Sequence, residues 1–334
     1  MLALRQAAVF IWIGLAAVLL AGCEPSPEQP VRRLKLGVAV SIDHSVYKGA
    51  IKFSDLVKER TQGKVIVAVY SDSQLSGSLI REIEMLRDGK IDFSFSSTLI
   101  YTSFDRRFFA CSMPWLFLRP DAADKFLAGP VGRDVLDMTH TQGIEGLALG
   151  ENGFRQITNS RHAIRAPDDI RGMRIRVPNE MYVGVYRALG AEPMIMPFPA
   201  VYKALQEHTV DGQENPVEII ATGHLYEVQK HVTAWNYSYD AFILGANRRL
   251  YDSFDGPTQA ILREAAREAA AYQIKRARES AQAKWNLLKE KGMEVTELTP
   301  AQSRAFKDLV QPLYAEYEPV IGKELLDALR AIDR

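Results

Sequence analysis

Apolar residues cluster in short runs along the first part of the chain. RLKLGVAV (33–40), KVIVAVY (64–70) and IDFSFSST (91–98) are short and apolar, the pattern of buried strands. Between them the period lengthens. VYKGAIKFSDLVKERTQG places Val46, Ala50, Phe53, Leu56 and Val57 on one face of an amphipathic helix that stops at Gly63. LIREIEMLRDGK is a second helix, closed by Gly89. Strand, helix, strand, helix, strand predicts an α/β layer with open loops at the strand ends.

GIEGLALGEN (143–152) reads as a further strand that carries the chain onward. A second unit follows, with RQITNS and MRIRVP as strands, a helix from Asn179 to Leu189, and EPMIMPF (192–198) as another strand. Asn179 suits an N-cap and Gly190 a C-terminal stop. Pro199 suits the first position of a helix over AVYKALQEH. VDGQENPVEIIATGHLYEVQKHV supplies a turn and a further helix, and WNYSYDAFILGANR (235–248) returns as strand-like sequence. After Pro257 no Gly or Pro occurs until Gly292, and the stretch is rich in alanine. As a helix it would be about 50 Å long at 1.5 Å per residue. Arg and Glu occupy its would-be seam positions, so it is expected to run along both units and not to form a coiled coil.

The stretch MRIRVPN (173–179) raises the question of chemistry. Met173, Ile175 and Val177 alternate with Arg174 and Arg176, and a proline stops the run. Arg176 comes last, next to a helix start. The residues alone leave two readings open: a solvated charge at a strand end, or a cation aimed at something negative.

Composition narrows the choice. The 334 residues carry 41 Lys and Arg against 41 Asp and Glu, so no global basic field points to nucleic acid or an anionic membrane. A charged partner must be recognised locally. At this length two domains are expected. The N-terminus stands apart from the fold. Arg5 precedes AAVFIWIGLAAVLL, an apolar run of signal-peptide length, and Ala21 and Gly22 lie directly before Cys23. Leu-Ala-Gly-Cys at that point resembles a bacterial lipobox, which implies cleavage before Cys23 and a diacylglyceryl anchor on its sulfur. EPSPEQP (24–30) then reads as an extended tether. Cys111 is the other cysteine; it lies in the apolar run FFACSMPWLF and is expected to be buried and inert.

Motifs for catalysis and cofactors are missing. There is no GxGxxG after a strand, no GxxxxGK, no HExxH and no GxSxG. His224 and His231 could share a helix face, but no third metal ligand stands near them. Asp168 and Asp169 sit in APDDIRG, a short polar turn typical of helix-start acids. The expectation is a non-enzyme without cofactor or metal.

The segment from Gly153 to Pro216 carries a resemblance. GFRQITNSRHAIRAPDDIRGMRIRVPN, then ALGAEPMIMPFPAVYKALQEHTVDGQENP, resembles the solute-binding proteins of tripartite ATP-independent periplasmic (TRAP) transporters, DctP type. That family carries runs like G-x-R-x-x-T-N-S, D-x-x-G-x-x-x-R-V-P and V-Y-x-A-L-Q…V-D-G-Q-E-N-P in this order. KVIVAVYSDSQL, IDFSFSS and the long late helix also fit, so the resemblance covers roughly residues 33 to 330.

The resemblance implies an α/β clamshell of two domains, with the long helix spanning both. Its expected layout is 1–22 as lipoprotein signal peptide and 23–32 as lipidated cysteine and tether. Domain I would take 33–152 plus 241–280, and domain II 153–240 plus 281–334. The ligands implied are small carboxylates: four-carbon dicarboxylates, sialic acid, sugar acids and some 2-oxo acids. Arg176 matches the arginine that binds the ligand carboxylate, Arg155 a second cleft arginine, and Asn215 an asparagine contacting the same carboxylate. Phe198 matches an aromatic packed on the ligand, and Asn179 follows Arg176 at the cleft wall. Ser97 occupies a ligand-adjacent position at the end of the third strand, where some sialic-acid binders carry an acidic residue, which argues against sialic acid. His44 lies in a loop facing the cleft. The implied partner is an integral-membrane TRAP permease, met in a periplasm or on the outer face of a cytoplasmic membrane. Two other classes share such a cleft: a ligand-binding subunit for a sensor kinase, and an extracytoplasmic enzyme that orients a carboxylate.

Overall fold

The computed structural model describes residues 30–117 and 119–332. The apolar run, the lipobox and Cys23 lie outside the described residues. Among the described residues no helix is long and apolar enough to cross a membrane.

Ten strands form one continuous sheet system: β1 (Arg32–Gly37), β2 (Val65–Tyr70), β3 (Phe93–Ser97), β4 (Ile144–Asn159), β5 (Arg174–Val177), β6 (Glu192–Ile195), β7 (Gly212–Pro216), β8 (His231–Ala234), β9 (Tyr239–Asn247) and β10 (Glu294–Glu297). The order is β2-β1-β3-β9-β4-β7-β5-β6, and β8, itself paired with β10, also joins β4. The parallel β1, β2 and β3 are joined by the expected helices Ser45–Arg60 and Leu79–Asp88. β9 then closes this half antiparallel to β3.

One strand joins the halves. The sequence reads GIEGLALGEN and RQITNS as separate strands, but β4 runs unbroken through both. It pairs with β9 over residues 144–154 and with β7 over 155–159. Gly153 looks like a turn residue. Here its φ of +103° serves an irregularity in the register between Glu151 and Gly153, which bends the strand without ending it.

The long helix spans Gly256–Glu290, 35 residues, close to the range expected. Asp255 caps it through Thr258 N at 2.8 Å. Its middle grips β4: Gln273, fully buried, accepts from Glu151 N and donates to Glu151 O, both at 2.8 Å. The helix 45–60 crosses it closely at Gly49, where an added Cβ would lie 2.8 Å from Gln273 Cβ. Glycine is required there by packing.

Phe53, Leu56, Leu262 and Ala266 belong to an apolar cluster between the first half of the sheet and the long helix. A larger cluster includes Tyr182, Trp235, Tyr237 and Phe306. The C-terminal segment divides between the halves. β10 pairs with β8, whereas Tyr314 donates to Pro114 O at 2.5 Å and Tyr317 packs edge-on against Phe109. Cys111 is buried, and burial pushes its thiol up, as its apolar setting predicts.

Candidate functional site

A cleft opens between the two halves at the ends of β1, β3, β5 and β7. Crevices outside the carboxyl ends of strands are where open α/β sheets bind ligands. The lining includes Val40, Leu79, Ser97, Leu99 and Phe242 from the first half and Arg176, Pro178, Phe198, Asn215 and Ile219 from the second. Asn152 and Arg155 enter from β4 and Asp240 from β9. About 460 Å³ of space lies between these walls, counting the part open to solvent.

Five residues expected at the site line this cleft together: Ser97, Arg155, Arg176, Phe198 and Asn215. Phe198 is half-buried at the start of a 3-10 turn, and packs against apolar clusters of both halves. The sequence starts a helix at Pro199; that turn comes first, and the helix proper covers Val201–Gln206.

The two arginines differ in their partners. Arg155 is 2% exposed and fully engaged. Its Nε and Nη2 donate to the two carboxylate oxygens of Glu214, Nη2 also to Asn215 Oδ1 at 3.1 Å, and Nη1 to Asp240 at 3.1 Å. Burial opposes its charge, but Glu214 and Asp240 outweigh that and hold its pKa well above the ordinary value. Arg155 is therefore a strut between β4, β7 and β9, and its charge is already answered.

Arg176 is 3% exposed and has no carboxylate partner among the described residues. Its one side-chain hydrogen bond there runs from Nε to Met196 O at 2.9 Å, which orients the fork and leaves both terminal nitrogens without a partner among the described residues. Burial lowers its pKa to about 10, with Arg155 adding to that effect and Glu214 opposing it. A buried cation without a counter-ion is costly, and an incoming carboxylate would relieve that cost through two parallel hydrogen bonds. Of the two readings left open by MRIRVPN, solvation of Arg176 is excluded by its burial. Arg174, two residues earlier, instead pairs with Asp211 at 3.0 Å and is partly exposed.

His44 and Asn179 lie outside the lining. Asn179 caps the helix Glu180–Ala188 through Tyr182 N at 3.2 Å, and its Nδ2 donates to Thr102 Oγ1 at 3.3 Å. His44 caps the helix Ser45–Arg60 through Val46 N and is fully buried, which brings its pKa down to about 4. Its Nε2 stands 3.7 Å from Glu218, and at neutral pH the contact is not an ion pair because the ring is uncharged.

Residues 36–319 match the family described as bacterial extracellular solute-binding protein, family 7 (DctP). The chain belongs to that family. It is 32% identical to the 2,3-diketo-L-gulonate-binding periplasmic protein YiaO of Escherichia coli, covering 89% of this chain and 90% of that one. To the C4-dicarboxylate-binding periplasmic protein DctP of Rhodobacter capsulatus it is 31% identical, covering 96% of each. The crystal structure of the sugar acid binding protein DctPAm of Advenella mimigardefordensis, in complex with galactonate, superposes with a TM-score of 0.88. That match is at 32% identity and covers 92% of this chain and 99% of the other. The α/β fold with its long helix is that of the TRAP periplasmic solute-binding structures, as the sequence motifs imply.

Sequence reading did not single out Glu214, Asn152 and Asp240. Glu214 lies inside the quoted QENP run, but nothing marks it as the partner of an arginine on the neighbouring strand. Asp240 stands in SYDAF with no motif around it, and only the pairing of β4 with β9 brings it to Arg155.

Proposed function

We propose that this family 7 protein captures a small organic acid outside the cytoplasm and delivers it to a TRAP-type membrane permease. The observation that carries the reading is Arg176: a buried guanidinium with no counter-ion among the described residues, in a cleft walled by both halves of the sheet. A carboxylate there would have its bidentate partner, with Asn215 beside it. The relatives named for 2,3-diketo-L-gulonate, C4-dicarboxylates and galactonate support an organic acid as the cargo class.

The two lobes meet near residues 152–153 in β4 and 240–241 in β9 in this reading, with the long helix as a common spine. Ligand binding then favours the closed arrangement, since both walls contact it only when closed. Cys23 carries the lipid anchor, residues 1–22 are removed as its signal peptide, and the tether leaves the lobes free to meet the permease. A thermal-shift screen of carboxylates tests the cargo class. A ligand at 100 times its dissociation constant adds about 2.7 kcal/mol of stability. If no carboxylate shifts the melting temperature, the reading is wrong.

A further inference from the structure

The cleft lining contains three ionisable side chains, Arg155, Arg176 and Asp240. Arg155 is shared between two carboxylates, Glu214 and Asp240. These four groups amount to two cations and two carboxylates, and of them only Arg176 lacks a direct ionic partner among the described residues. One ligand carboxylate is therefore provided for. A second would enter beside Asp240 with no cation left to meet it.

Asp240 is fully buried and surrounded by donors. Ser97 Oγ lies 2.9 Å from each of its oxygens, Thr98 Oγ1 at 3.1 Å, Asn152 Nδ2 at 2.7 Å and Arg155 Nη1 at 3.1 Å. An ionised carboxylate only accepts, so the Asn152 amide must turn its nitrogen toward Asp240. That fixes the other end of the amide. Asn152 Oδ1 is buried and has no hydrogen-bond partner among the described residues, on a residue that lines the cleft. An acceptor left unpaired in this way needs a donor, and a carboxylate has none to offer. A hydroxyl does. Most of the remaining lining is apolar, with Leu79, Leu99, Ile219 and Phe242 among it. Such walls leave the many hydroxyls of a sugar acid without partners.

We infer that the cleft takes a hydroxylated monocarboxylate with an apolar body, and discriminates against dicarboxylates. The carboxylate pairs with Arg176, one hydroxyl donates to Asn152 Oδ1, and the hydrocarbon part lies against the apolar walls. This inference rests on the organic-acid reading of the same cleft and narrows it.

The test is titration calorimetry on the full chain in mild detergent with five probes: 2-hydroxy-3-methylbutanoate, 3-methylbutanoate, malate, succinate and gluconate. The hydroxy acid binds best. Its deoxy analogue is about 10-fold weaker for the lost hydrogen bond, and malate and succinate about 100-fold weaker for the unmatched charge. Asn152→Ala removes the gap between the first two probes, whereas a merely structural role for Asn152 would weaken both acids alike and keep the gap. The ranking in the parent protein needs no variant, so a misfolded Asn152→Ala leaves it decisive. Succinate, malate or gluconate binding tightest, in a manner lost with Arg176→Ala, overturns this inference and leaves the organic-acid reading standing. If none of the five binds, or binding survives Arg176→Ala, both fall.

Discussion

Lys284, on the long helix, donates to Glu218 at 2.6 Å, and the same carboxylate accepts from Ser45 N at 3.0 Å and Ser45 Oγ at 2.7 Å. Three segments far apart in the chain thus meet at one buried acid. Gln273 adds a hydrogen bond to Ser45 Oγ at 2.8 Å. Ser45 starts the helix after β1, Glu218 sits on the helix after β7, and Lys284 lies near the end of the spine. The knot ties both halves of the sheet to the long helix.

Glu218→Gln keeps the shape but leaves the Lys284 ammonium, mostly buried, without its counter-charge. Removing one partner of a buried pair costs about 3 kcal/mol. Urea unfolding should show that loss, and Glu218→Gln with Lys284→Met should recover part of it. Equal stability of parent and single variant would mean the pair contributes nothing.

Two groups of this knot make stability fall with acid, in successive windows. Burial holds His44 at about 4, below its ordinary 6.5, with Lys284 and Lys48 pushing the same way and Glu218 opposing. The unfolded chain therefore takes up a proton first, so this contribution is complete above pH 6.5 and is lost on descent to about 4. For Glu218 burial opposes ionisation, but His44, Lys284 and the hydrogen bonds outweigh it and bring the carboxyl from 4.5 to about 2. Its contribution is complete above 4.5 and disappears as the pH falls through 2. His44→Asn keeps an N-cap and removes the first titration. Its melting temperature should vary less between pH 6.5 and 4 than the parent's; an unchanged slope would acquit His44.

Arg176 and Arg155 should respond oppositely to removal. Arg155→Ala strands Glu214 and Asp240 in the interior and should cost about 3–5 kcal/mol of stability. Arg176→Met removes a buried cation that has no counter-ion among the described residues, and should leave the ligand-free protein as stable as the parent or more so. Thermal melts of the two variants decide it. A large destabilisation by Arg176→Met would show that Arg176 supports the fold.

For binding the roles reverse. Arg176→Ala should weaken a bound carboxylate by about 2–5 kcal/mol, roughly 30- to 5,000-fold. Arg176→Lys should also weaken it, since an ammonium lacks the two-pronged fork. Arg174→Ala is the control, because Arg174 pairs with Asp211 and is absent from the cleft lining. Calorimetric titration of all three, with folding checked by circular dichroism, measures the differences.

If Cys23 carries a lipid, the full chain should partition with membranes, and Cys23→Ser should release it or leave an uncleaved precursor. Mass spectrometry finding an unmodified mature N-terminus elsewhere would remove the anchor from the proposal.

Much of this molecule is written in local patterns. The short apolar runs RLKLGVAV, KVIVAVY and IDFSFSST, the caps at Asn179 and Gly190, and the unbroken run after Pro257 each describe a few neighbouring residues, and each matches an element of the fold. Arg176 was legible as a candidate because its strand, its proline and the helix start after it are contiguous. The rest depends on residues distant in sequence. That Arg155 is answered by Glu214 and Asp240 while Arg176 is not follows from the order β9-β4-β7-β5, which sets those side chains side by side. The continuity of β4 through Gly153 is decided by pairing on both edges, which outweighs the local turn signal of a glycine. Charge in the chain is a property of composition, but whether a given charge is free depends on what the folded neighbours supply, and only the tertiary structure decides that.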